Sequence, residues 1–126
     1  MVLQNLEPKK VFKYFEEISK IPRGSGNEKA ISDYLVNFAK ERNLEVYQDE
    51  ALNVIIKKPG TKGYENSKKI ILQGHMDMVN EKSEDSNHDF DKDPIEIILD
   101  GDFIHANKTT LGADNGIGVA MSLAIL

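Results

Sequence analysis

Apolar residues in the first forty positions of the chain recur at helical spacing. Val11, Phe12, Phe15 and Ile18 fall on one face and predict a helix. Pro8 suits its first turn, where a missing N–H costs nothing, and Pro22 stops it by disfavouring helical geometry at Ile21. Arg23-Gly24-Ser25-Gly26 reads as a loop. Asn27 is placed to cap a second helix, with Glu28 in its first turn and Ala30, Ile31, Tyr34, Leu35 and Phe38 as its buried stripe.

After Asn43 the period shortens to that of strands. Leu44 to Gln48 alternates, and Leu52 to Lys57 carries Val54-Ile55-Ile56. Pro59-Gly60-Thr61-Lys62-Gly63 marks a turn or a longer loop. Lys69-Ile70-Ile71-Leu72-Gln73 predicts a third strand, apolar enough to be central in a sheet, which feeds into His75-Met76-Asp77. Residues 80–94 are polar and acidic, an exposed loop. Ile95 to Leu99 and Phe103 to Ala106 predict two strands joined by a tight turn at Asp100-Gly101. A glycine-rich turn over residues 111–116 leads into a last helix. Helices, then strands, then a helix predict an α/β sandwich with a mixed sheet. The final run from Gly116 to Leu126 is apolar and has no capping residue, which reads as a helix cut in mid-course. The expectation is a portion, residues 1–126, of a longer polypeptide.

Composition narrows the chemistry. With 126 residues one domain is expected, and 40% hydrophobic with 29% charged residues is ordinary for a globular chain. A net charge of −5 argues against nucleic acid or an anionic membrane as partner, and no apolar run reaches the length of a membrane span. There is no cysteine, so a bound metal would be held by His and carboxylates. A reducing cytosol is compatible with that composition, and the expected location is cytoplasmic.

Two places could carry chemistry. In His75-Met76-Asp77, residues two apart on a strand point the same way, so Asp77 could accept the second ring N–H of His75 and aim it as a zinc ligand requires. The plainer reading is a His and an Asp meeting solvent at a strand end. In Gly112-Ala113-Asp114-Asn115-Gly116, flanking glycines let Asp114 present both oxygens to metals, but a helix N-cap accounts for an Asp there as well or better. A catalytic zinc site takes three protein ligands and a water. The residues alone therefore reach as far as an incomplete metal site.

Asp85, Asn87, Asp89 and Glu96 occupy EF-hand positions, but Phe90 stands where the loop needs glycine and no helices flank it. The segment reads as a solvated acidic loop, with His88 solvated in it. His105 reads as a packing or surface residue. Lys108, Thr109 and Thr110 are expected to shape the approach to Asp114.

In order and spacing, Ile21-Pro22-Arg23-Gly24-Ser25-Gly26-Asn27-Glu28, Asn53-Val54-Ile55-Ile56-Lys57-Lys58-Pro59, Gly74-His75-Met76-Asp77-Met78-Val79 and residues 109–118, Thr-Thr-Leu-Gly-Ala-Asp-Asn-Gly-Ile-Gly, resemble the aminoacyl-histidine dipeptidases, or Xaa-His dipeptidases. Gly24 departs from the Pro often found there in that family. The resemblance implies the N-terminal part of a three-layer α/β sandwich and hydrolysis of dipeptides with a C-terminal histidine. It implies two zinc ions, with His75 as a ligand, Asp77 as the catalytic-site residue orienting it, Asp114 bridging the metals, and a cis bond after Asp114. The general-base Glu, the other ligands and a smaller domain for dimerisation and closure would lie outside these residues, so the piece alone is expected to be inactive. Small peptides are the implied partner. A non-catalytic metal-binding or scaffold α/β domain is the alternative. It predicts a self-sufficient fold, whereas the peptidase piece predicts exposed apolar surface and self-association.

Overall fold

The computed structural model describes all 126 residues. Helix α1 is Lys9–Ser19 and α2 is Lys29–Glu41. Strands β1, Glu45–Gln48, and β2, Val54–Lys57, follow. Strands β3, Ile97–Asp100, and β4, Phe103–Ala106, precede α3, Ala113–Ile125. The sequence placed all seven within a few residues.

Helix α1 buries Val11, Phe15 and Ile18 as expected, with Tyr14 on the same face, while Phe12 is only half-buried. Pro8 sits just before it, its carbonyl accepting the Phe12 N–H at 3.3 Å. The buried face packs on α3, where Ala120 and Leu123 are also buried. Buried Glu16 is satisfied by the backbone N–H groups of Val2 and Leu3, which folds the N-terminus over the core.

Helix α2 presents Ile31, Leu35 and Phe38 to the core, but Ala30 is exposed and Ser32 and Ala39 are buried instead. The face is turned because Ser32 Oγ donates to the Leu52 carbonyl at 2.8 Å and accepts from Gln48 Nε2 at 2.8 Å, tying α2 to the β1–β2 ribbon. Asn27 does not cap α2. Glu28 holds the cap position, and its carboxylate accepts the Gly26 N–H at 2.7 Å. At the other end Asn43 takes the left-handed conformation, φ 56°, and the Leu44 N–H returns to the Ala39 carbonyl at 2.9 Å. Arg42 lies 3.4 Å from the Phe38 ring centroid and donates to Tyr14 Oη, bridging α1 and α2.

The strands form two separate two-stranded antiparallel sheets. Val46 pairs with Ile56 and Tyr47 with Ile55, and α2 covers the face holding Val46 and Ile56. Ile98 pairs with His105 and Asp100 with Phe103, so the tight turn is Gly101-Asp102, one residue later than expected, with Gly101 at φ 58°. No single mixed sheet joins the two pairs. The third strand expected at Lys69–Gln73 is absent. The segment pairs with neither ribbon, and Ile70 and Ile71 are 83% and 89% exposed. Met121 and Ile125 leave an apolar outer face on α3. No helix is long and apolar enough to cross a membrane.

Candidate metal centre

Three chain segments, distant in sequence, meet at one end of α3. The first is the turn Arg23–Ser25 between α1 and α2. Gly24 forms an isolated parallel bridge with Met78, through Met78 N–H to the Arg23 carbonyl at 2.9 Å and Ser25 N–H to the Met78 carbonyl at 3.1 Å. That bridge fixes the second segment, His75–Met78. The third, Gly112–Gly116, is held alongside by a strap further on. Thr110 Oγ1 donates to the Val79 carbonyl at 2.7 Å, Thr110 N–H to the Glu81 carbonyl at 2.9 Å, and Lys108 pairs with Asp85. Thr110 therefore ties the chain before Asp114 to the residues just after the His75 segment, and Lys108 ties it to the acidic loop.

At the meeting point the His75 ring lies between two carboxylates. Nδ1 is 2.8 Å from Asp77 Oδ1 and Nε2 is 3.1 Å from Asp114 Oδ1. The predicted Asp77–His75 pairing thus holds, although the segment is an extended loop and not a strand end. Asp77 is in turn gripped by Ser25 Oγ, which donates to Oδ2 at 2.5 Å. Asp114 is not an N-cap. Gly112 takes that place in a left-handed conformation, φ 79°, and the Asp114 side chain is 99% exposed and aimed at His75. The Asp114–Asn115 bond is cis, as the resemblance implied. Regular helix begins after Asn115, because Asp114 and Asn115 both have non-helical angles.

The electrostatics follow from this arrangement. Hydrogen bonds donated by the ring first to Asp114 and then to Asp77 favour the charged imidazole, so the His75 pKa is raised. Ser25 chiefly, then His75, holds the Asp77 carboxyl below the usual range. Arg23, 1% exposed, has its pKa pushed down by burial, an effect opposed by Asp77. A guanidinium nonetheless stays protonated at neutral pH.

His75 Nε2 and Asp114 Oδ1 fit a zinc ion as donors. Two ligands of one tetrahedral zinc, each at about 2.0–2.2 Å, lie roughly 3.4 Å apart, close to the separation found here. The donor set stops short of a complete centre, since no group of three His, Cys, Asp or Glu side chains is arranged to hold a metal.

The acidic segment has no calcium geometry. Asp85 is engaged by Lys108, and Glu96 accepts from Asn107 Nδ2 at 2.8 Å, so the two end positions serve different partners. His88 is not solvated as expected. Its ring packs edge-on to Phe90 at 4.6 Å and its Nε2 is buried. His105 lies on the exposed side of β4.

Sequence reasoning found His75, Asp77 and Asp114, which the fold brings together, and passed over Arg23 and Ser25. Gly24 also acquires a reason. A Cβ there would stand 2.0 Å from the Asn80 amide nitrogen, so a side chain at this position would displace Asn80.

No family model matches the chain. It is 46% identical over 124 residues to a cytosol non-specific dipeptidase of Escherichia coli (strain K12), covering 98% of this chain and 26% of that protein. Its structure matches an aminoacylhistidine dipeptidase from Vibrio alginolyticus with a TM-score of 0.94 and 46% identity, over 98% of this chain and 25% of that one. A tripeptidase from Staphylococcus aureus matches with a TM-score of 0.74 and 25% identity, over 93% of this chain and 31% of that one. The chain thus spans about a quarter of the dipeptidases it matches. Along nearly its whole length it shares sequence and fold with the aminoacyl-histidine dipeptidases, as its motifs implied.

Proposed function

We propose that this chain supplies one wall of the active site of a zinc-dependent cytoplasmic dipeptidase. The observation that carries the reading is His75 set between Asp77 and Asp114, in a chain 46% identical to a dipeptidase. His75 is a metal ligand through Nε2. Asp77 holds Nδ1, fixing the ring's tautomer and direction. Asp114 would hold the metal as a second ligand through its carboxylate. Zinc, when bound, supplies a polarised scissile carbonyl and a water of lowered pKa. The general-base Glu and the remaining ligands come from the rest of the longer protein, as does a smaller domain through which two copies pair. Within the whole protein the two ribbons and the 69–73 segment join one mixed sheet of a three-layer sandwich. The substrate is a small peptide, and dipeptides ending in histidine are the preferred class.

The test is hydrolysis of Xaa-His dipeptides by the natural-length protein after chelation and zinc add-back, with His75→Ala and Asp114→Ala alongside. Chelation should abolish activity and zinc restore it. Each variant should lose activity on the order of 100-fold or more, at least as much as loss of a supporting residue costs. Undiminished hydrolysis after chelation, or by both variants, would sink the reading.

A further inference from the structure

The glycine-rich loop around Asp114 is shaped by a residue almost ninety positions away. Arg23 is buried to 1% exposure with no carboxylate in hydrogen-bond contact. Its Nη1 donates to the Met76 carbonyl at 3.2 Å and its Nη2 to the Gly112 carbonyl at 2.9 Å. Those carbonyls belong to the residue after His75 and to the residue two before Asp114. One rigid planar fork therefore spans the two loops whose side chains meet at the proposed metal position. The loop leaves room for it: a Cβ on Gly112 or on Gly116 would stand 2.6 Å or 2.8 Å from Nη2. Two glycines of the motif are thus explained by the volume of a guanidinium. The same turn reaches the site a second time, through the Ser25 Oγ bond to Asp77 at 2.5 Å.

We infer that the Arg23–Ser25 turn is a positioning element of the metal centre: Arg23 locks the His75 and Asp114 loops at a fixed separation, and Ser25 orients Asp77 and through it His75. Both residues act through others. Arg23 donates only to main-chain oxygens and so occupies no carboxylate oxygen of the site. Its Nε is buried without a partner, and burying a charge met only by two carbonyls is costly, which argues for a gain elsewhere. The inference rests on the metal-site reading above.

Cobalt(II) binding to the natural-length protein tests it, by affinity and by the visible absorption band, which reports coordination geometry. Ser25→Ala, Ser25→Thr and Arg23→Lys are compared with wild type well below the melting temperature of each metal-free protein. Ser25→Ala should bind cobalt roughly 10-fold more weakly, within the range for loss of a supporting hydrogen bond, with an unchanged metal-free Tm. Ser25→Thr, which keeps the hydroxyl, should restore affinity. Arg23→Lys keeps the charge but cannot span both carbonyls, and should weaken binding on the order of 10–100-fold with an altered band. Wild-type affinity and spectrum in Ser25→Ala and Arg23→Lys would overturn the inference and leave the metal site standing. Affinity loss that only tracks loss of fold would overturn it too. Absence of cobalt binding by wild type would remove the metal reading and this inference with it.

Discussion

Val54-Ile55-Ile56 and Ile70-Ile71-Leu72 are nearly the same sequence with opposite fates. The first is a strand, paired residue for residue with β1 and half-covered by α2. The second forms no strand and leaves its side chains in solvent. Strand propensity is equal in both, so propensity does not decide. What differs is the supply of a partner. β1 lies a short turn away, closed by Asp49, which accepts Asn53 N–H and Nδ2 bonds at 2.8 and 2.9 Å. Residues 69–73 have no strand beside them in this chain.

The largest effect that sharpens this contrast comes from the core. Phe15→Ala in α1 should cost about 3–5 kcal/mol, while Ile71→Ser should stay within about 0.5 kcal/mol, both read by urea unfolding of this chain. A large loss for Ile71→Ser would mean the run is packed after all, and the comparison would fail.

A middle-sized effect is expected at Ser32, which joins α2 to the paired strand. Ser32→Ala leaves the Leu52 carbonyl and the Gln48 amide short of a partner and should cost about 1–3 kcal/mol. Amide hydrogen exchange should then quicken in β1 and β2 before it quickens in α1. Uniform acceleration would show that Ser32 does not link helix to ribbon.

The smallest effect concerns acid. Asp33 is held below its ordinary pKa by Lys29 and then Gln48, and Asp49 by Asn53. A depressed folded pKa contributes stability that is present above the unfolded value of about 3.9 and is lost as pH falls through the folded value. Asp49→Asn should therefore flatten the fall in stability between pH 4 and pH 2, roughly the window below the unfolded value, and lower stability at pH 7 slightly, by the share of that fall that Asp49 contributes. An identical acid limb in the variant would remove Asp49 from the account.

The pattern of the sequence reveals what is local. Helices α1 and α2 declare themselves because Val11, Phe15, Ile18 and Ile31, Leu35, Phe38 repeat with the helix, and each ribbon's strands are neighbours in sequence. His75, Asp77 and Asp114 are legible because a His two residues from an Asp, and an Asp among glycines, are rare enough to notice. Asn27 misleads because a capping residue type does not oblige the chain to use it, and Glu28 secures the turn through Gly26 instead. Arg23 is hidden for a different reason. A lone basic residue in a loop reads as surface, and its partners are main-chain carbonyls, which carry no signature of their own. Ser25 is hidden because its partner, Asp77, lies 52 residues on.

The reach of Arg23 also has a meaning in time. Its two partners lie 53 and 89 residues downstream. During synthesis at about 5–20 residues per second, the Gly112 carbonyl is made roughly 4–18 s after the arginine. For that interval the guanidinium stays hydrated in an unfinished turn, and Ser25 beside it waits for Asp77. α1 and α2 can form while the chain grows, but the three segments of the site close only when nearly all of these residues exist. A turn made early is therefore completed by a loop made 89 residues later.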